Sequence, residues 1–326
     1  MEFIICDTNK REKQGWPKNA SMDFDIGELN DVEITCPKGI LDFGMWIICP
    51  GTEYGALIEE NENITTENTE IWRGNALRKF LQQFIIIPPS GQDYMKVTGD
   101  AHDIMRQILN GAFEGLFSIP SEPSGIIINN YRFDRYTDAL SGFNKMLGQQ
   151  GAKISLKICQ GEPNTAFNVI LSAESIKNLS AEIEYSEDSK IAVALKESRR
   201  GINHLICLGQ GELKNRLVVH LYVQFDGSIA RKQYYTGLKE RTAVYDYPNA
   251  ENESELISNG TEELKSLMGN KEMQMSVNNM DDMQIGDIIA GRNYEKGMYM
   301  QKPIVRKIVM IKGHKEKIEY KVEGEE

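Results

Sequence analysis

The sequence predicts an α+β fold, predominantly β. Three observations predict it. Apolar residues alternate with polar ones through most of the chain, turns rich in Gly, Pro and Asn separate those runs, and only three segments change to helical spacing. With 326 residues the chain is long for one domain, so two or three domains, or one large domain with an insert, are expected. Its 40% hydrophobic and 26% charged residues are ordinary for a globular protein and too apolar for wholesale disorder.

Val32, Ile34 and Cys36 alternate with polar neighbours, as a half-buried strand requires. MWIIC (45–49), EIW (70–72) and FLQQFIII (80–87) read as further strands. Pro88-Pro89-Ser90-Gly91 is the first boundary, because paired prolines cannot continue a ladder, and residues 1–95 read as a β-rich, barrel-like domain. The period then changes. Ile104, Met105, Ile108 and Leu109 form one helical stripe between Asp100, an N-cap, and Gly111, a C-terminal glycine. A second helix over 134–147 puts Tyr136, Leu140, Phe143 and Leu147 on one face, and in AKISLKI after it Ile154, Leu156 and Ile158 alternate. With IIIN (126–129) before them, these elements read as a small α/β insert over 96–165.

Strands return over 166–326, in AFNVIL, AEIEY, IAVAL and INHLICL. RLVVHLYVQ and IARKQYY flank Asp226-Gly227, a strong hairpin signal because both turn residues tolerate positive φ. A third helix over 253–268 turns Leu256, Ile257, Leu264 and Met268 inward. A last hairpin joins KPIVRKIVMI to KIEYKV through residues 312–315.

Charge and cysteine use exclude several function classes. Against 37 Lys and Arg stand 48 Asp and Glu, a net charge of -11, the reverse of what a phosphate-gripping protein shows. No uncharged apolar run approaches the roughly 20 residues of a membrane-spanning helix. The start, MEFIICDTNKREK, lacks the basic-then-apolar order of a signal peptide, so a soluble protein made in the cytosol is expected. Cys6, Cys36, Cys49, Cys159 and Cys207 are odd in number, widely spaced and without a CxxC pair, which argues against a zinc ribbon, a redox motif and a disulfide framework. Asn-x-Ser/Thr triplets such as Asn63-Ile64-Thr65 are chance without secretion.

The motifs that could carry chemistry are incomplete. Asp42-Phe43-Gly44 spells the magnesium-binding triplet of kinases, but the Gly-rich loop, lysine strand and HRD loop are missing, so it reads as a turn. His102-Asp103 resembles the metal pair of HD phosphohydrolases, but the four histidines (102, 204, 220, 314) stand isolated in sequence, and a solvated helix start is the plainer reading. Gly209-Gln210-Gly211 lacks the third glycine of a dinucleotide loop, since position 214 is Lys. GxxxxGKS/T, GxSxG and HExxH do not occur. Glu59-Glu60, Glu262-Glu263 and Asp281-Asp282 read as solvated faces rather than a glycosidase pair. Tyr234, Tyr235, Tyr245 and Tyr247 suit either an interface or a barrel core and rim. No catalytic, cofactor-binding or metal residue is assigned, no cofactor is expected, and the chain is not expected to be an enzyme.

Longer strings carry a resemblance. GINHLICLGQGELKNRLVVHLYVQFDGSI (201–229) and YYTGLKERTAVYDYPNAENESELISNGTEELKSL (234–267) resemble the siphovirus tail-associated hub family of phages and prophages of Firmicutes. IGDIIAGRNYEKGMYMQKPIVRKIVMIKGHKEKIEYKVEG (285–324) is similar to that family's C-terminal barrel strands, and NYRFDRYTDALSGFNKMLGQQGAKISLKI (130–158) to its α/β insert. The resemblance covers about 100–326; residues before it fit in pattern only. It implies two tube-like β-barrels per chain, a baseplate or tail-tip hub of three copies presenting six barrels to the hexameric tail tube, the distal tail protein on one side and fibre or spike proteins on the other, and a place at the virion tail tip. Longer relatives add a fibre or cell-wall hydrolase, which is not expected on a chain ending at Glu326. An acidic chain suits passive DNA passage, because negative walls repel phosphates within a Debye length of about 8 Å. A hub or spike of a secretion-system or contractile-injection machine is the alternative; a cell-wall hydrolase ranks third.

Overall fold

The computed structural model describes residues 1–63, 65–160, 165–181, 184–185, 192–198, 200–248, 250, 252–269, 271–277, 283–293, 298–313 and 315–322. The chain divides into two compact units, unit 1 formed by Met1–Val193 with Gln274–Glu323 and unit 2 by Ala194–Met273. Residues 1–95, 96–165 and both the beginning and the end of 166–326 therefore share unit 1, and unit 2 is an insertion in its chain path.

Unit 1 opens with β1 (Ile4–Cys6), β2 (Glu12–Gly15), β3 (Ser21–Ile26), β4 (Asp31–Pro37), β5 (Trp46–Ile48), β6 (Gly55–Asn63) and β7 (Thr69–Ala76). In β4 Val32, Ile34 and Cys36 are buried and their neighbours are not. Helix α1 (Leu77–Gln83) follows directly and corrects the strand expected over 80–87. Leu77 and Leu81 are one turn apart and fully buried, and the Leu, Arg, Lys and Gln residues of this segment favour helix. A short apolar run does not separate a buried helical turn from a strand by periodicity alone.

Next come β8 (Lys96–Asp100), α2 (Ala101–Ile108), β9 (Phe117–Ser118), β10 (Ile127–Arg132), α3 (Ala139–Gly148), β11 (Ala152–Cys159), β12 (Asn168–Ser175), β13 (Glu184–Tyr185) and β14 (Ala192–Glu197). Asp100 caps α2 as expected, accepting the His102 N–H at 2.9 Å. The same carboxylate accepts the backbone N–H groups of Ser124 and Gly125, each at 3.0 Å, which ties the loop before β10 to the helix start. Helix α3 starts at Ala139 rather than 134, where Asp138 accepts the Ser141 N–H at 2.8 Å. Tyr136 precedes it at φ 57°, a turn conformation, and is exposed, while Leu140, Phe143 and Leu147 are buried on the expected stripe. These helices, β11 and β12 share one core with Ile4, Trp46, Leu77 and Leu81.

Unit 2 contains β15 (His204–Leu208), β16 (Val218–Val223), β17 (Ile229–Ala230), β18 (Thr242–Asp246) and α4 (Glu253–Leu267). Its sheet has the order β17-β16-β15-β18, with β18 parallel to β15 and the other pairs antiparallel. Helix α4 lays Leu256 and Leu264 against Leu205, Cys207, Val219 and Leu221. Asn252 caps it by accepting the Glu255 N–H at 2.9 Å. The Asp226-Gly227 turn forms as expected, with Gly227 at φ 85° and the Gln224 N–H donating to Ser228 O at 2.7 Å, but the returning strand is only Ile229–Ala230.

The chain returns to unit 1 through β19 (Lys271–Val277), β20 (Ile288–Asn293), β21 (Met298–Lys312) and β22 (Lys315–Val322). The main sheet then runs β19-β22-β21-β3-β4-β7-β6-β5-β1-β2, with β20 also on β21. This is a half-barrel in which a C-terminal strand, β21, pairs antiparallel with β3 from Lys307↔Ile26 to Lys312↔Ser21. Phe3, Phe24 and Tyr54 pack under it, ring centroids 6.0 to 6.4 Å apart. No helix among the described residues is long and apolar enough to cross a membrane.

Candidate assembly surfaces and the histidine pair

Strand alternation decides what the second face of the unit 2 sheet presents. With Leu205, Cys207, Val219 and Leu221 turned to α4, the residues between them face the other way. Register aligns Tyr222, His204 and Thr242 in one row, His220, Ile206 and Val244 in the next, and Val218, Leu208 and Asp246 in the third. Val218 and Val244 are 43% and 62% exposed, so this face presents apolar side chains in its second and third rows. Arg216 reaches Asp246 at its edge.

The histidines read as isolated are not all so. His204 Nε2 lies 2.8 Å from His220 Nδ1, and the ring centroids are 5.1 Å apart, so the rings meet nitrogen to nitrogen. On its other side His204 Nδ1 lies 2.7 Å from Glu240 Oε1 and 3.0 Å from Thr242 Oγ1. Tyr222 lies alongside the His204 ring, centroids 4.3 Å apart and planes within 21°. Sequence reasoning missed this because the pairing is diagonal across β15 and β16. The available signal was that both histidines sit at outward positions of adjacent apolar strands.

The remaining candidates have structural roles. His102 Nδ1 meets Glu122 O at 2.8 Å, and its Nε2 accepts the Ala173 N–H at 3.1 Å, so both ring nitrogens are used. Asp42-Phe43-Gly44 is a turn in which Asp42 Oδ1 accepts the Phe43 N–H and Gly44 has φ 77°. In Gly209-Gln210-Gly211 the Gln210 N–H donates to Ala250 O and Gly211 has φ 107°. Glu60 pairs with Arg73 at 3.0 Å and Glu59 accepts from Asn75. Glu262 and Glu263 lie on α4, whereas Asp281, Asp282 and His314 fall outside the described residues. Tyr245 and Tyr247 stack at 5.9 Å against the unit 2 core, and Tyr234 and Tyr235 meet edge to face at 4.9 Å. Among the described residues no group of three or more His, Cys, Asp or Glu side chains is placed to hold a metal.

Two surfaces of unit 1 complete the survey. On the outer face of the main sheet Arg73 fans out to Glu33, Glu60 and Glu62. Beside it, burial and then the charges of Asp25 and Glu33 push the Asp23 carboxyl above the usual aspartate range, and burial with Asp25 does the same to Asp31. A raised folded value disfavours the charged form, so Asp23→Asn is expected to raise stability at neutral pH, by only a few tenths of a kcal/mol because solvent screens this exposed side chain. The gain shrinks as pH falls through the raised value, because the wild-type carboxyl then takes its proton in the folded state. Melting temperatures of both proteins at neutral and mildly acidic pH check this; an equal gain at both sinks the crowding argument.

A cleft of about 630 Å³ opens elsewhere in unit 1, with Tyr54, Arg78, Ser155, Gln284, Lys307 and Tyr320 among its lining. Arg78 Nε donates to Glu53 Oε2 at 2.7 Å, both side chains buried, and Lys307 Nζ stands 4.9 and 5.5 Å from the Tyr54 and Tyr320 ring centroids. Gln284 Oε1 is buried there without a hydrogen-bond partner. Of its lining carboxylates, Glu53 pairs with Arg78 and Glu316 with the N-terminal ammonium, while Glu174 lies near the Ser172 hydroxyl. Burial also pushes the thiols of Cys6, Cys36 and Cys207 up to about 12, about 11 and about 11. Native protein treated with iodoacetamide at neutral pH is therefore expected to react only at half-buried Cys159, and at all five cysteines in urea, as read by mass spectrometry. Fast native labelling of Cys6 contradicts this.

No protein-family model and no curated protein matches the sequence. Solved structures match it from end to end. The prophage tail protein gp18 of Listeria monocytogenes aligns with a TM-score of 0.50 at 14% identity, covering 98% of this chain and 94% of that one. The 43 kDa tail protein of prophage MuSo2 from Shewanella oneidensis gives 0.52 at 10% identity, covering 99% and 98%. A chain of the phage p2 virion baseplate in its activated conformation gives 0.53 at 10% identity, covering 100% and 99%. At such identities the likeness is one of fold, and this chain has the fold of phage tail and baseplate proteins.

Proposed function

We propose that this chain is a structural subunit of a phage or prophage tail, the hub at the tail tip or baseplate. The end-to-end match to tail proteins carries the reading: a shared fold over 98% of this chain and 94% of the Listeria protein leaves little of either unexplained. In this reading the subunit is not an enzyme and works by assembly. Its finer form comes from the family resemblance: a siphovirus of a Firmicute host, two tube-like barrels per subunit, a homotrimer presenting six barrels to the tail tube, and contacts to the distal tail protein and to fibre or spike proteins. The barrels close only with neighbouring copies or partners, which suits a half-barrel that ends in open strands. The carboxylates beside Asp23 and around Arg73 are the candidate channel wall, since crowded negative charge keeps DNA phosphates from sticking.

Light scattering across a wide concentration range tests the oligomer. Threefold closure of a 37.0 kDa subunit gives about 111 kDa. A stable dimer overturns the hub reading, because two copies cannot close a threefold ring.

A further inference from the structure

We propose that His204 and His220 form a binding site for a borderline transition-metal ion of the Ni²⁺, Cu²⁺ or Zn²⁺ class. The two donors come from adjacent strands, and His204 Nε2 and His220 Nδ1 already face each other at 2.8 Å. What lies behind His204 decides the matter. Its Nδ1–H is directed at Glu240 Oε1, 2.7 Å away, which leaves the lone pair on Nε2, on the side of His220. A carboxylate holding the far nitrogen is the usual support of a metal-ligating imidazole, because it fixes the tautomer and strengthens the donor. Thr242 Oγ1, 3.0 Å from the same nitrogen, and the Tyr222 ring along its flank hold the ring plane.

Without metal, the His220 Nδ1–H bridges the gap by donating to His204 Nε2. For an ion to enter, His220 carries that proton on its own Nε2 instead, so no proton leaves the pair. Two metal–nitrogen bonds then form as two waters leave the hydrated ion. With metal–nitrogen bonds of 2.0–2.1 Å a tetrahedral ion needs its nitrogens about 3.3 Å apart with both lone pairs aimed at it, so the His220 nitrogen swings about 2 Å off the present nitrogen–nitrogen line. His220 is only half-buried and can supply that movement, while His204 stays anchored. An all-nitrogen donor pair selects these ions over Ca²⁺ and Mg²⁺, which require oxygen. Water or a neighbouring chain's side chain fills the remaining positions. A loaded site pins β15 to β16 and stabilises unit 2 by mass action.

The test is calorimetric titration of the full chain with NiCl₂ alone, repeated with CuCl₂. One ion per chain is expected, with saturation below millimolar metal and a rise in melting temperature. His220→Asn should abolish it, Glu240→Gln should weaken it about tenfold, and His314→Asn should leave it unchanged. His220 is the informative position, since buried His204 also contributes to folding; circular dichroism confirms that the variant is folded. Absence of saturable binding, or binding that survives His220→Asn, overturns the proposal. Neither result bears on the oligomer mass, so this site and the hub reading fail separately.

Discussion

Asp287→Ala is expected to destabilise unit 1 by about 3–5 kcal/mol, the cost of breaking a buried ion pair from one side. Asp287 is 0% exposed and Lys153 only 5%, and Lys153 Nζ reaches Asp287 Oδ1 at 2.5 Å. Asp287 also accepts the backbone N–H groups of Lys177 and Gln284, each at 3.0 Å, so one carboxylate joins β11, the end of β12 and the approach to β20. Alanine leaves all three donors without that acceptor and an ammonium in a dry site. Burial already lowers the Lys153 value, and Asp287 is the main force pulling it back up. In the variant the folded value falls further below the unfolded one, so the unfolded chain binds more protons between them and stability rises with pH through that window. Urea midpoints at neutral and alkaline pH measure both effects. Lys153→Met with Asp287→Leu should recover part of the loss, since an apolar pair removes the stranded charge. An unchanged midpoint in Asp287→Ala rejects the argument.

Gly74→Ala should cost about 3 kcal/mol, the upper end for overpacking. A Cβ there would stand 2.1 Å from Leu57 O and 2.9 Å from Leu57 C, backbone atoms of the adjacent strand that cannot swing aside. The site lies where β6 bulges between Ile58 and Glu60 against β7, so the ladder itself would have to move. Gly15→Ala is the control, because nothing lies within 4 Å of the Cβ it would add. That change should be neutral or stabilise by up to about 1 kcal/mol through the unfolded chain. Matching urea midpoints for the two variants would sink the steric account.

Local structure was largely legible in the sequence. The alternation of β4 and β11, the cap at Asp100, the Asp226-Gly227 turn and the α4 stripe depend on neighbours within a few residues, and propensity and period report such neighbours well. Leu77 and Leu81 show the limit, since a seven-residue helix holds too few turns for its period to outweigh an apolar run. The start of α3 was misplaced because Tyr136 falls on the helical stripe by spacing yet sits in a turn. Pairings between distant segments left no local trace. Nothing near Ser21–Ile26 announces β21 as its neighbour, and the outward positions of His204 and His220 do not fix their diagonal contact, because register is chosen by tertiary packing. The likeness in fold to phage tail and baseplate proteins was legible only in long strings, as a fold held by many weak preferences has to be.

The pairing of β3 with β21 also governs how the protein can be made. Asp25 and Arg306, joined across those strands, lie 281 residues apart. A ribosome adding about 5–20 residues per second leaves β3 without its neighbour for tens of seconds after it emerges. Unit 2, whose strands and helix are contiguous in sequence, can form in that interval, whereas the half-barrel waits for the last strands. During the wait β3 is paired on its β4 side only, and its open edge, with Met22, Phe24 and Ile26 on one face, is available to the wrong partner. Truncation before 298 should therefore yield aggregation rather than a smaller soluble protein, and slower synthesis at lower temperature should raise the soluble yield of the full chain.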